Sequence, residues 1–150
     1  MAGTSGASKD SRLVALAGEL RAAISILIRR VREQTQAEDL TSAQKSVILR
    51  LERDGPATVS MLAKAESVRH QSMRVTVASL ETRGLVIGAP DPADGRKTIL
   101  NLTPACMRAL KTDRAVKEDW LFRGLRAQLT PREQDELASA IKLLQRLAKF

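Results

Sequence analysis

The stretch Leu62–Thr103 decides the fold: LAKAESV (62–68), RHQSMRVTVASLETRG (69–84), LVIGA (85–89), PDPADGRK (90–97) and TILNLT (98–103). A short helix opens it, capped by Thr58 or Ser60, with Met61, Leu62 and Ala65 expected to face inward. The chain must turn near Glu66 and Ser67. A longer helix then runs to Arg83, with Met73, Val77 and Leu80 as its buried stripe and Gly84 where a left-handed C′ residue belongs. Leu85–Ile87 and Thr98–Leu102 read as strands. Between them lie the turn formers Pro90, Asp91, Pro92, Asp94 and Gly95, and the two prolines keep that loop from extending the sheet. Helix, turn, helix and hairpin in this order make a winged helix-turn-helix, a unit that lays one helix in the DNA major groove with the hairpin beside it.

Outward from this stretch the chain is helical. Thr41-Ser42-Ala43-Gln44 is a capping box ahead of Val47, Ile48 and Leu51, and Gly55-Pro56 ends that helix. Upstream, Leu13, Leu16, Ala17, Leu20, Ile24, Leu27, Ile28 and Val31 recur at spacings of three and four, one face of a helix from about 11 to 34. Residues 1–10 are small and polar, lack the apolar segment of a secretory signal, and read as a disordered tail. Downstream, Thr103-Pro104 starts a helix toward Gly124 with Met107, Leu110, Val116, Trp120 and Leu121 as apolar contributors. Thr130-Pro131-Arg132-Glu133 starts another, with Leu137, Ile141, Leu144 and Leu147 on one face. The expected fold is mainly α, about six helices with a small β-hairpin wing. It forms a single domain over 11–150, with residues 41–102 as the DNA-binding unit and 11–34 and 104–150 as dimerisation helices. The apolar stripes of the terminal helices exceed what the central unit needs, which points to a second copy of the chain as their cover.

Composition narrows the function classes. Of 150 residues 43% are hydrophobic but only 2% aromatic, with no tyrosine, so the core must be aliphatic. The formal charge is +8 and the pI about 10.4, which suits a nucleic-acid binder. Pro56–Leu102 itself carries six basic against four acidic residues, so the arrangement of side chains counts for more than the total. No apolar run approaches the roughly 18 residues of a membrane span, and a cytoplasmic protein is the plain reading. One histidine and one cysteine leave no multi-His site and no structural zinc site, and no cofactor is expected. A Gly-rich phosphate loop and an HExxH motif are both missing from the sequence. The only Cys–His option, Cys106 with His70, sits on separate elements, so an enzyme is not expected.

The candidate DNA contacts follow from position and chemistry. Arg69, His70, Gln71, Ser72 and Arg74 begin the second helix of the motif, the part that points at base edges. Arginine suits guanine and glutamine suits adenine through paired hydrogen bonds, while Ser67, Ser72 and helix N-terminal amides suit phosphates. Past the tip of the wing, Arg96 and Lys97 are placed to meet the duplex, Arg96 in a narrow minor groove. Asp94 is expected to orient Arg96 or a neighbouring basic side chain. Cys106 falls in the first turn of a helix and reads as a small buried hydrophobe, with a thiol-based redox sensor as the alternative. A winged helix can also serve protein contact or RNA binding, and both remain open at the level of the motif.

LAKAESVRHQSMRVTVASLETRGLV and DPADGRKTILNLTP carry a resemblance to the MarR family of bacterial winged-helix transcription regulators, extending over nearly the whole chain beyond residue 10. The resemblance implies an obligate homodimer whose first helix and last two helices interleave with the partner's. It implies binding to a roughly palindromic operator in double-stranded DNA, usually as a repressor. It further implies release by a small phenolic or other lipophilic ligand, or by cysteine oxidation. Asp94 resembles the family's wing aspartate. Peroxide-sensing members place their cysteine near the N-terminus beside tyrosines, a pattern this chain does not have.

Overall fold

The computed structural model describes residues 4–35 and 40–150, with helix and strand order α1 Thr4–Arg32, α2 Ser42–Asp54, α3 Val59–Ala65, α4 His70–Thr82, β1 Val86–Pro90, β2 Thr98–Leu102, α5 Pro104–Gln128 and α6 Pro131–Leu147. The chain divides into two compact units, residues 37–114 and residues 1–36 with 115–150. The expected segment 41–102 falls inside the first of these, and the early turns of α5 join it there.

Local signals set most boundaries. Thr41 caps α2 through the Gln44 amide at 3.2 Å, and the Gln44 side chain accepts from the Thr41 amide at 2.8 Å. Thr130 and Glu133 repeat the arrangement at α6. Of the two candidate caps for α3 it is Thr58 that bonds the Met61 amide. At the end of α4, Gly84 adopts φ +69°, its N–H donates to the Glu81 carbonyl, and the Leu85 N–H donates to the Leu80 carbonyl. This pair of bonds is a Schellman motif, and it needs a residue free of a Cβ penalty at the left-handed position. The same motif closes α3, with the Ser67 N–H on Lys64 and the Val68 N–H on Ala63. Here the left-handed position, φ +55°, is occupied by Ser67 rather than by glycine.

Several expectations are corrected. Helix α1 begins at Thr4, not near Ser11, so residues 4–10 are helical rather than a tail, and residues 1–3 lie outside the described residues. Once a long helix is nucleated each further residue adds one hydrogen bond, and residues 4–10 contain no proline to stop its extension. The inward residues of α3 are Leu62 and Ala63, while Met61 and Ala65 are exposed. The cap at Thr58 starts the helix at Val59, which puts 59, 62, 63 and 66 on one face. The first strand runs to Pro90 rather than stopping at Ile87, and the proline ends it. Of the apolar contributors expected in α5, Met107 and Val116 are exposed and Leu110 packs partly against the core.

The two strands pair antiparallel, with Val86 opposite Leu102 and Pro90 opposite Thr98. Ala57 bonds to the other side of β2, donating to the Leu100 carbonyl at 3.2 Å and accepting from its amide at 2.9 Å. Gly88 keeps the hairpin close, because a Cβ there would lie 2.8 Å from Thr98 Cγ2. The core consists of Val47, Ile48 and Leu51 of α2, Leu62 and Ala63 of α3, Met73, Val77 and Leu80 of α4, then Leu85, Val86, Leu100 and Cys106 with Ala57. All of it lies within the unit 37–114. Among the described residues of the other unit no hydrophobic side chain is fully buried. Leu13, Leu16, Ile24 and Leu27 of α1 and Leu137, Ile141, Leu144 and Leu147 of α6 are all exposed.

Candidate nucleic-acid interface

Helix α4 turns one face to the core and the other to solvent. Residues advance about 100° each, so Gln71, Val75 and Ala78 stand opposite Met73, Val77 and Leu80, with Ser72 and Arg74 at the flanks. Ser67, Arg69, His70, Gln71, Ser72 and Arg74 are all exposed. Among the described residues none of these side chains is engaged in a hydrogen bond or ion pair, so their donors are available to a ligand. Arg69 is the N-cap in extended conformation, and its side chain does not cap the helix. The amides of the first turn of α4 therefore keep their hydrogen-bonding capacity.

The wing is pinned by aspartates. Asp91 Oδ1 accepts from the Ala93 N–H at 2.8 Å, and the Asp91 N–H donates to the Lys97 carbonyl at 2.9 Å. Asp94 Oδ1 accepts from the Arg96 N–H at 3.2 Å, and its other oxygen lies 3.7 Å from Lys97 Nζ. The neighbour that Asp94 pairs with is thus Lys97, while the Arg96 guanidinium extends into solvent with no carboxylate partner among the described residues. The α4 residues and the wing residues belong to the same compact unit.

Two polar ties from α2 fix this helix-turn-helix, and neither is legible from local sequence. Gln44, 8% exposed, completes its capping box and also donates from Nε2 to Ser79 Oγ of α4 at 2.8 Å. At the turn between α3 and α4, Glu66 accepts from Ser46 Oγ and from Arg50 Nε, and Arg50 Nη1 reaches Asp54 at 3.2 Å. The Ser46 hydroxyl, then the Arg50 guanidinium, hold the Glu66 carboxyl below the usual carboxylate range. The available signals were the four-residue spacing of Ser46 and Arg50 on α2 and the acid at the turn, but nothing local joins them. A third tie closes the hairpin: Thr103 Oγ1 donates to the Gly84 carbonyl at 2.7 Å and accepts from the Cys106 N–H at 3.1 Å. Cys106 is 3% exposed inside the core, as a small hydrophobe would be. No group of three or more potential metal ligands occurs among the described residues, and none of their helices is long and apolar enough to cross a membrane.

Fold and surface together define the winged helix-turn-helix class of DNA-binding transcription regulators. A profile of the MarR family matches residues 38–97. An HTH-type transcriptional regulator of Mycobacterium bovis is 33% identical over 129 residues, 86% of this chain and 90% of that protein. A crystal structure of a transcriptional regulator from Pseudomonas aeruginosa, 35% identical, superposes with a TM-score of 0.81 and covers 93% of this chain and 97% of that one. BpsR of Bordetella bronchiseptica, solved to explain regulation of its DNA binding by 6-hydroxynicotinic acid, is 25% identical with a TM-score of 0.55, covering 89% and 93%. The chain belongs to the MarR family of transcription regulators.

Proposed function

We propose that this regulator is a homodimeric repressor in the cytoplasm that reads a pseudo-palindromic operator and is released by a small lipophilic or phenolic ligand, without catalytic activity of its own. Residues 41–102 form the DNA-binding unit, and the segments 11–34 and 104–150 provide the dimer contacts. Arg69, His70, Gln71, Ser72 and Arg74 meet base edges, Ser67 and Ser72 meet phosphates, and Arg96 and Lys97 meet the backbone or minor groove beside Asp94. The observation that carries this reading is the exposed start of α4, where Arg69, Gln71 and Arg74 have no side-chain hydrogen bond or ion pair among the described residues. Side chains with fixed donors and no internal acceptor suit an external one, and duplex edges and phosphates supply it. The uncovered apolar residues of α1 and α6 support the dimer, since a helix stripe of that length needs a nonpolar partner. Regulation of BpsR by 6-hydroxynicotinic acid supports a ligand switch of the same general kind.

Selection of bound sequences from random duplex DNA tests this reading. Recovery of a palindrome with half-sites about one helical turn apart, bound with steep salt dependence, is the expected result. Retention of RNA or of no nucleic acid at all would overturn it. Titrating small phenols into the operator complex then reads the switch as release of labelled duplex.

A further inference from the structure

We propose that Val75 is a specificity-determining residue that packs against the 5-methyl group of a thymine in the bound operator. This rests on the DNA-binding reading of α4 and adds to it a residue with a chemical class of target. Val75 is 63% exposed in the middle of a helix whose other β-branched hydrophobe, Val77, is 3% exposed in the core. It shares the outward face with Gln71 and is flanked by Ser72 and Arg74.

The position is unfavourable for the unbound protein. Valine is a weaker helix former than alanine because its branched Cβ loses freedom against the preceding turn. Among the described residues of the 37–114 unit none buries it, so that cost is not recovered through packing. In the major groove, each base pair displays hydrogen-bonding groups, and thymine alone adds a methyl. Valine has no donor or acceptor and can answer only that methyl. Its restricted χ1 presents the two Cγ atoms with little further entropy to lose. Val75 lies about 40° around the helix from Gln71 and about 6 Å further along its axis. Base pairs are spaced about 3.4 Å apart, so the thymine read by Val75 falls within about two pairs of the one read by Gln71.

The test starts from the operator recovered by selection. Each thymine of the half-site is replaced in turn, in both halves, by deoxyuridine, which lacks only the methyl. Loss of one methyl contact should weaken wild-type binding about fourfold per half-site at one thymine position. Val75→Ala should bind the thymine duplex as weakly as the wild type binds the deoxyuridine duplex, and should show no further loss on deoxyuridine. Val75→Thr, which keeps one methyl on the same branched frame, should retain the penalty. Unchanged circular dichroism and thermal midpoints establish that the variants fold. Equal wild-type affinity for every deoxyuridine duplex overturns the inference, as does a penalty that persists in Val75→Ala. Failure to select any duplex overturns the underlying reading instead, so the two failures are distinct.

Discussion

Gln44→Ala is expected to loosen the recognition helix without touching its solvent face. The side chain makes two bonds from a nearly buried site, one to the Thr41 amide and one to Ser79 Oγ. Each neutral hydrogen bond contributes about 0.5–1.5 kcal/mol net, and alanine returns a few tenths through helix propensity. The loss should be about 2 kcal/mol, read as a lower urea midpoint at equal protein concentration, since a dimer's stability depends on concentration. Ser79→Ala, on α4, removes only the bond from Gln44. In the double variant the Gln44–Ser79 term is lost once, so the two single costs should overshoot the double by about 1 kcal/mol. Operator affinity, measured by fluorescence anisotropy, should fall more than affinity for random duplex, because a tilted α4 misplaces base contacts more than phosphate contacts. Additive stabilities within about 0.3 kcal/mol, the ordinary error of independent sites, would refute the claim that this bond holds α4 to α2.

The remaining predictions concern contacts, charge and assembly. Arg96→Ala should weaken binding to all sequences and reduce the salt slope by about 0.9 if one phosphate contact is lost, whereas Gln71→Ala should relax preference at one position per half-site by about 1–3 kcal/mol; equal effects of both on specific and random DNA would contradict this division. The Glu66 carboxylate is held below its ordinary range by Ser46 and Arg50, so its stabilisation is fully present above about pH 4.3 and is lost as pH falls through the lower folded value. Glu66→Gln should therefore be less stable than wild type at pH 7 and should converge with it in acid; a constant difference between urea midpoints across that range counts against the clamp. Ser67→Gly should raise stability by up to about 1 kcal/mol by relieving the left-handed backbone, while lowering DNA affinity through loss of the hydroxyl. Leu144→Glu should give monomers or unfolded chain by sedimentation, and a wild type that sediments as a monomer at micromolar concentration would remove the case for the dimer.

The sequence by itself determined most features that depend on residues three or four apart. Thr41 with Gln44, Thr130 with Glu133 and Gly84 at the end of α4 mark helix limits through contacts within a single turn. The stripe Met73, Val77 and Leu80 leaves Gln71 on the opposite side with Ser72 and Arg74 at the flanks, so this part of the candidate interface was legible from periodicity, and Arg69 from its place at the start of the helix. Tertiary structure decided what local patterns leave open. The phase of α3, with Leu62 and Ala63 inward in place of Met61 and Ala65, depended on which hydroxyl caps the helix. The exposure of Val75, 63%, became a fact only once the tertiary fold placed its neighbours. Gln44 and Ser79 are 35 positions apart, Ser46 and Glu66 20, and neither pair carries a mark of its partner in the sequence. Such contacts form only when folding brings distant segments together, and burial then decides which polar groups must find one another.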